Sequence, residues 1–361
     1  MSIDYYNYND YVDKNLRGID LGFDEALELF ELPLPVIGMI ADRIRRARCG
    51  ELVTFVIDRN ISYTNRCVAR CKFCAFYAKH ERDGYILSKE QILSKVKGAI
   101  EAAATQILIQ GGLNPEIGIE WFEDLFSTIK RQFPTVQLHS LSPPEIHFIA
   151  MHEGMSIEET LARLRAAGLD SLPGGGAEVL SDRIRAEISP NKLSADEWIE
   201  VMDTAQKMGM KTTATMMFGH IERNEDIVEH LFRVRDLQNR RKGFTAFIPW
   251  TFQPWHTALH ERIKEPASAR RYLQVLGIAR IVLHSIRNIQ ASWLTQGCEV
   301  AKLALFFGAN DFGGTILEEN VVTATGREHN PMKPGEIVEA VKSLGRPVAQ
   351  RDTYYKVLKR Y

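Results

Sequence analysis

The stretch Cys67-Val-Ala-Arg-Cys71-Lys-Phe-Cys74 places three cysteines within eight residues, directly after an apolar segment. Three thiolates so close in sequence can bind one metal centre from a single loop. An iron–sulfur cluster usually takes four cysteine ligands, so three would leave one iron open to a ligand that is not protein. A structural zinc ion with His80 as fourth ligand is the alternative, because such sites prefer a closed tetrahedral shell. The cysteine spacing alone leaves both readings open.

Short apolar, β-rich runs alternate with amphipathic helical stretches along most of the chain. The predicted strands are Leu52–Ile57, Gln106–Gln110, Val136–Ser140, Gly168–Leu172, Lys211–Phe218, Thr245–Trp250, Ile286–Ala291 and Leu303–Phe307. Eight such alternations over about 250 residues favour an α/β fold of the parallel (β/α)8 barrel type rather than an open sheet. We predict a helical extension in residues 1–50, the barrel in 51–327 and a helical cap in 328–361.

Polar or glycine-rich segments follow the predicted strands. They include Asp58-Arg-Asn60, Gln110-Gly-Gly112, Pro173-Gly-Gly-Gly-Ala-Glu178 and Gly308-Ala-Asn-Asp-Phe-Gly-Gly-Thr315. Active sites of (β/α)8 barrels lie on the loops after the carboxyl ends of the strands. The cysteine loop follows the first predicted strand, so we expect the cysteines and these segments to meet around one mouth.

The composition is that of an ordinary soluble globular protein. Of 361 residues, 45% are hydrophobic and 25% charged, and the net charge is −1. No dense Lys/Arg tract suggests nucleic acid, the polar start is unlike a signal peptide, and no apolar run approaches the roughly 18 residues of a membrane helix. Five cysteines in a chain this long make no disulfide framework, which favours the cytoplasm. Cys49 and Cys298 lack partners at metal spacing and read as ordinary apolar residues.

A C-x3-C-x2-C loop after the first strand of such a barrel resembles the radical S-adenosylmethionine (SAM) enzymes. In that superfamily three cysteines hold three irons of a [4Fe-4S] cluster, and the methionine amino and carboxylate groups of SAM bind the fourth. The resemblance implies both cofactors, with Cys67, Cys71 and Cys74 as the metal ligands. It also implies that reduction of the cluster cleaves SAM to a 5′-deoxyadenosyl radical.

Several further residues match cofactor-binding positions of the superfamily. Phe73 occupies the aromatic position near the adenine, and Gln110-Gly111-Gly112 matches the glycine motif that supports the methionine amine. Glu178 lies where the superfamily recruits polar side chains to the ribose or amine of SAM; otherwise it caps a helix. Ser142 has a similar but weaker claim.

The resemblance narrows to the branch that contains deazaflavin synthases and the radical enzymes of futalosine-dependent menaquinone synthesis. It rests on Ile57–Ile61, Tyr63–Asn65, Cys71–Tyr77 and Asp170–Glu178. Three segments are more similar to the members that cyclise dehypoxanthinyl futalosine than to those that form aminofutalosine from an enol-ether benzoate. They are Ala214–His220, Phe247–Pro254 and Asn288–Trp293. One departure is Trp255-His256, where the pattern predicts Glu-Asn.

The cyclising members imply a small-molecule reaction. A hydrogen is removed from ribose C4′, the carbon radical adds to the attached benzoate ring, and loss of an electron and a proton gives the product. An electron donor such as flavodoxin or ferredoxin is implied as a partner. The alternative from another class is a metal-stabilised barrel without catalytic activity.

This chemistry suggests substrate-contacting residues. Arg59 and Arg287 are candidate anchors for the substrate carboxylate, because a guanidinium binds a carboxylate in a bidentate fork; the alternative is a structural ion pair. Trp250, Phe252 and Trp293 could shield the radical and stack on the benzoate, or belong to the plain core.

The candidates for the proton acceptor come from four of the predicted loops. They are His220, Asp311, His139 and Glu145. An unperturbed imidazole titrates near neutrality, which suits a general base. A lone histidine is more often structural, and an aspartate in a glycine-rich segment often stabilises a turn.

Overall fold

Three helices precede the first strand in the computed structural model, which describes residues 5–328 and 330–361. They are α1 (Tyr5–Arg17), α2 (Phe23–Glu28) and α3 (Leu34–Cys49). Helix α3 buries Ile37, Ile40 and Ile44 against the rest of the protein, a spacing that forms one apolar face of a helix.

Parallel strands close into a barrel. They are β1 (Val53–Val56), β2 (Asp58–Ser62), β3 (Gln106–Gln110), β4 (Gln137–Leu138), β5 (Ser171–Leu172), β6 (Lys211–Phe218), β7 (Phe244–Thr251), β8 (Asn288–Ile289) and β9 (Asp311–Gly314). Strands β1 and β2 are two halves of one barrel strand, separated by Ile57. Strand β9 pairs with β1, β2 pairs with β3, β3 pairs with β4, and β5 to β8 pair in order. Single bridges, His139 to Ser171 and Gln290 to Asp311, join the remaining gaps. The predicted eight-stranded barrel is therefore confirmed.

Helices cover the outside of the barrel. They are α4 (Lys89–Glu101), α5 (Ile119–Gln132), α6 (Pro143–Glu153), α7 (Ile157–Ala167), α8 (Asp182–Ile188), α9 (Ala195–Lys207), α10 (Asn224–Arg241), α11 (Ala269–Val282), α12 (Trp293–Gln296) and α13 (Cys298–Ala304). Ser88, Ser156, Ser194 and Ser268 accept a hydrogen bond from the backbone three residues on, which satisfies a free N–H at each helix start. None of the helices in residues 5–328 and 330–361 is long and apolar enough to cross a membrane.

The last predicted strand, Leu303–Phe307, is wrong. Helix α13 covers its beginning, and the eighth barrel strand is β9, Asp311–Gly314. Leu303 is 50% exposed, so the short apolar run does not mark a buried strand, and a run of this length fits a helix equally well. The segment Asp58–Asn60, predicted as a loop, continues the first strand as β2.

The C-terminal region contains a hairpin that the sequence did not reveal. After helix α14 (Pro334–Lys342) come strands β10 (Val348–Arg351) and β11 (Val357–Arg360), which are antiparallel to each other. Strand β10 pairs in parallel with β1, the half of the first strand farther from the cysteines. The hairpin therefore adds to the barrel wall at the end opposite the mouth.

Candidate active site

A cavity of about 410 Å³ extends into the barrel. The interiors of such barrels are usually filled by layers of bulky branched aliphatic side chains. Here many of the lining side chains are short or polar: Asn60, Gln106, His139, Thr213, Thr215 and Gln290. This substitution of polar for aliphatic side chains leaves a deep space with hydrogen-bonding groups on its walls, as expected of a ligand site.

The three clustered cysteines line the upper part of this cavity with Phe73. All three are free thiols, and Cys71 is buried. Burial raises the pKa of the Cys71 thiol to about 12 and also raises the pKa of Cys74. A bound metal centre would offset the cost of ionising these buried thiols, because a coordinating thiol is deprotonated outright. The backbone N–H of Leu113 donates to Cys67 Sγ at 3.3 Å, a contact that suits a thiolate.

The donor set fits an iron–sulfur cluster better than a zinc ion. Among the residues that the structure describes, no three His, Cys, Asp or Glu side chains converge on a single-ion position. In a cluster each cysteine binds a different iron, so the thiols need not meet at one point. His80, the fourth ligand of the zinc alternative, is exposed and does not line the cavity.

The Gln110–Gly112 segment packs tightly against the cysteine loop. A Cβ on Gly112 would overlap the backbone O of Arg66 and lie 2.8 Å from Cys67 Cβ. A Cβ on Gly111 would lie 2.8 Å from the Tyr63 ring. Residues 111 and 112 must therefore both be glycine. Both glycines line the cavity, so their backbone can contact a ligand bound there.

Glu145 holds this glycine segment in place. Its Oε1 accepts from Gly111 N at 2.9 Å and from Tyr63 Oη at 3.0 Å. Its Oε2 accepts from Ser142 N at 2.7 Å and Ser142 Oγ at 2.6 Å. Burial raises the pKa of Glu145, against the opposing effect of these donors. Glu145 and Ser142 line the cavity, but the carboxylate has donors on both oxygens and positions Gly111 and Ser142.

Glu178 faces the cavity beside a lysine. Its Oε1 lies 2.9 Å from Lys192 Nζ, and Lys192 Nζ lies 5.5 Å from the centre of the Phe73 ring. The backbone of Glu178 has φ +45°, a conformation uncommon for a residue with a side chain. Arg185 stabilises this turn by donating to the backbone O of Gly176 and Ala177.

The lower end of the cavity carries a buried charge network. Arg351, from the C-terminal hairpin, binds Asp311 with Nε–Oδ2 and Nη2–Oδ1 distances of 2.5 and 3.0 Å. Thr54 Oγ1 also donates to Asp311, at 2.5 Å. Arg351 lines the cavity together with Thr353 and Tyr355. Asp311 does not line it and has donors on both oxygens, so its carboxylate is committed to the network.

His139 lines the cavity and is neutral. Its Nδ1 lies 2.7 Å from Ser171 Oγ, and its Nε2 lies 3.4 Å from Thr213 Oγ1. Burial, with a smaller effect of Arg351, lowers its pKa to about 3. His220, by contrast, lies outside the cavity lining. Its Nδ1 accepts from Ile221 N and its Nε2 lies 3.1 Å from Met217 O, so both nitrogens have backbone partners.

Both predicted arginine anchors lie away from the cavity. Arg59 pairs with Glu318 at 2.7 Å and donates to Lys95 O. Side chains alternate along a strand; Asp58 and Asn60 line the cavity, so Arg59 between them points outward. Arg287 is exposed and precedes β8, at the end of the strand far from the mouth. Arg59 therefore forms a structural ion pair, which was the alternative to a contact with the substrate carboxylate.

The three predicted aromatic residues divide between cavity and core. Trp250 lines the main cavity, and with Trp293 it also lines a smaller adjoining cavity of about 130 Å³. Trp293 Nε1 donates to Gly314 O at 2.9 Å, which fixes the indole. Phe252 is buried and packs near the His220 ring, with ring centroids 6.2 Å apart.

The cavity lining also contains residues that the sequence does not predict as site residues, among them Asp58, Lys192, Arg351 and Tyr355. The position of Asp58, directly after the first predicted strand, is a sequence feature that could have identified it as a site residue. No sequence pattern identifies Lys192, Arg351 or Tyr355, since each reaches the cavity only through tertiary packing.

Comparison with known proteins places the chain in a family. The model of the radical SAM superfamily matches residues 61–234, and that of the CofH/MqnC C-terminal region matches residues 241–360. The chain is 42% identical over 353 residues to cyclic dehypoxanthine futalosine synthase of Streptomyces coelicolor, covering 96% of this chain and 88% of the relative. The chain belongs to the CofH/MqnC family of radical SAM enzymes. As a family member it uses a [4Fe-4S] cluster and SAM.

Other relatives of the chain carry a different name. The chain is 40% identical to 5-amino-6-(D-ribitylamino)uracil–L-tyrosine 4-hydroxyphenyl transferase 2 of Methanosarcina mazei, covering 91% of this chain and 84% of the relative. Among solved structures, methylornithine synthase (PylB) aligns with a TM-score of 0.74 at 19% identity, covering 93% of this chain and 96% of that one. This structural likeness shows the radical SAM barrel fold and no more.

Proposed function

We propose that this protein cyclises dehypoxanthinyl futalosine to its cyclic form in menaquinone biosynthesis. The observation that carries the proposal is the 42% identity, over nearly the whole chain, to proteins named cyclic dehypoxanthine futalosine synthase from Streptomyces coelicolor and Halalkalibacterium halodurans. The cavity supports it, because it combines a cysteine-lined upper part with a deep interior that carries hydrogen-bonding side chains.

When bound, the cluster and SAM would supply a 5′-deoxyadenosyl radical, the hydrogen-abstracting species for the ribose C4′ position. Cys67, Cys71 and Cys74 would hold the cluster, and the Gln110–Gly112 edge, Ser142, Glu178 and Phe73 would position SAM. Trp250, on β7, lines the cavity and would hold the benzoate against the ribose. A carbon radical attacks the nearest acceptor, so this orientation decides the product. The C-terminal hairpin lines the far end and would exclude water.

The second candidate is the transferase reaction of the archaeal relatives, which are nearly as similar at 40% identity. Formation of aminofutalosine from an enol-ether benzoate is the third. The segments Ala214–His220, Phe247–Pro254 and Asn288–Trp293 favour the first reaction. Of these, Trp250 and Gln290 line the cavity.

Substrate competition tests the proposal. The protein is reconstituted with iron and sulfide without oxygen, reduced, and given SAM with each of the three substrate sets in turn. We expect cyclic product only from dehypoxanthinyl futalosine, with deuterium moving from C4′ into 5′-deoxyadenosine. Product from L-tyrosine and the ribitylaminouracil, or from the enol ether, would contradict it. A protein that gains no reducible cluster would indicate the non-catalytic barrel.

We also propose that an acidic electron-carrier protein reduces the cluster. Arg70, Lys72 and Lys79 are exposed around the cysteine loop, and an acidic electron carrier such as flavodoxin or ferredoxin would be attracted to such a surface. We also propose a cytoplasmic location, a small-molecule substrate, and neither nucleic-acid binding nor membrane insertion.

Glu178 is proposed as a SAM contact, and this gives a testable prediction. We expect Glu178→Gln to weaken SAM binding by about 10-fold, because a hydrogen bond to a charged group contributes about 1.5–3 kcal/mol. Dialysis of the reconstituted, oxidised protein against labelled SAM measures the affinity, and iron content should not change. Glu123→Gln is the matched control, since Glu123 pairs with Arg163 outside the cavity. Equal SAM affinity in both variants would remove Glu178 from the site.

A further inference from the structure

Among the residues that the structure describes, four carboxylates line the cavity, and three of them already have hydrogen-bond or ion-pair partners. Glu145 accepts from four donors, and Glu178 pairs with Lys192. Glu319 accepts from the backbone N–H groups of residues 321–323. The fourth carboxylate is that of Asp58.

Asp58 presents an oxygen to the cavity. Asp58 is 8% exposed, and its Oδ1 accepts a hydrogen bond from Ile316 N at 2.9 Å. Apart from Ile316 and the backbone N–H of Asp58 itself, no residue that the structure describes donates a hydrogen bond to this carboxylate. Gly314 packs directly on the carboxylate, and a Cβ there would overlap it. The carboxylate is therefore held in place and still has acceptor capacity toward the cavity that it lines.

Charged groups of both signs surround Asp58. Burial raises its pKa to about 6, opposed by the Ile316 N–H and by Arg351, while Asp311 raises it further. Arg351 lies on β10, Asp311 on β9, and Tyr355 between β10 and β11 faces the same pair. Its neighbour on β3 is the uncharged Gln106, and His139 across the barrel is neutral. A carboxylate in this setting is ionised at neutral pH and can hold a proton.

We propose that Asp58 is the proton acceptor that restores the aromatic ring after cyclisation. The inference rests on the proposed function. After the C4′ radical adds to the ring, the attacked ring carbon carries both the new C–C bond and its hydrogen. That C–H bond breaks, its proton moves to the Asp58 carboxylate, and its electron pair stays in the ring. The products of this step are an aromatic radical anion and a neutral Asp58, and the extra electron then leaves to a one-electron oxidant of the flavin or iron–sulfur class.

The other candidates are less suited to this step. His139 is a weak base with both nitrogens near hydroxyl groups, His220 lies outside the cavity lining, and Asp311 is bound by Arg351. Asp58 lies four residues before Ser62 on the same strand, or about 13 Å deeper along it. This places Asp58 well below the cysteine loop, on the side where a substrate beneath SAM would extend.

The test separates proton transfer from the earlier steps. In Asp58→Asn we expect deuterium from C4′ to appear in 5′-deoxyadenosine at close to the wild-type rate. Cyclic product should fall by about 100-fold, the lower range for loss of a general base. Asp124→Asn is the matched control, since Asp124 pairs with Lys89 at the surface, and should retain wild-type product formation.

Two further readouts identify a base. Because the ionised carboxylate is the active form, the wild-type rate of product formation should rise with pH through about 6 and then level off; in Asp58→Asn this rise should disappear. In Asp58→Ala, added formate should restore product, because a small carboxylate can occupy the vacated space.

The outcomes distinguish this inference from the proposed function. A wild-type protein that forms no cyclic product defeats the proposed function itself. Wild-type product together with undiminished product in Asp58→Asn overturns the role of Asp58. Parallel loss of substrate affinity, deuterium transfer and product in Asp58→Asn also overturns it, because Asp58 would then be a binding residue.

Discussion

Replacing Gly112 by alanine is expected to leave the protein folded but unable to keep its cluster. The added methyl group would overlap the backbone O of Arg66 and press on Cys67 Cβ. These segments are also tied by hydrogen bonds, Gly112 N to Thr64 O and Val68 N to Leu113 O, so one cannot move without the other. Overpacking of this kind costs about 1–3 kcal/mol or more. The strain falls on the backbone that carries the first cysteine ligand.

The measurements are iron content after anaerobic reconstitution and 5′-deoxyadenosine formation. We expect Gly112→Ala to retain little iron and to lose activity by at least about 100-fold, since a 1 Å misplacement alone can cost that much. Gly335→Ala is the control, because nothing lies within 4 Å of its Cβ position and alanine favours a helix. Full iron content in Gly112→Ala would show that the glycine edge and the cysteine loop are not coupled.

The sequence predicted the parts of the site that are local in the chain. The cysteine spacing, the Gln110–Gly112 segment and the alternation of strands and helices are short-range patterns. Together they gave the barrel and the upper part of the cavity. These patterns are visible because each depends on residues within one strand and the turn that follows it.

Other features of the site depend on the tertiary structure. The first strand continues past Ile57 through Ser62, which sends Arg59 outward and Asp58 inward. Arg351 and Lys192 reach the cavity from segments remote in sequence. A parallel pairing such as β1 with β10 leaves no periodic signal at either strand, so no local pattern could reveal it.

Removal of one partner of the Arg351–Asp311 pair is expected to cost more stability than removal of one partner of a surface ion pair. Both side chains are almost fully buried, so removing one partner leaves an uncompensated charge. We expect Arg351→Met to lower the free energy of unfolding by about 3–5 kcal/mol, as is usual for a broken buried pair. Arg163→Met, whose partner Glu123 is at the surface, should cost less than about 1 kcal/mol. Anaerobic urea unfolding measures both.

A double variant shows whether the cost is electrostatic. Without Arg351, the buried Asp311 carboxylate is an unpaired charge. Adding Asp311→Asn should therefore recover part of the loss, because no unpaired charge then remains buried. Losses that are simply additive in the double variant would mean that the two side chains stabilise the barrel only through packing.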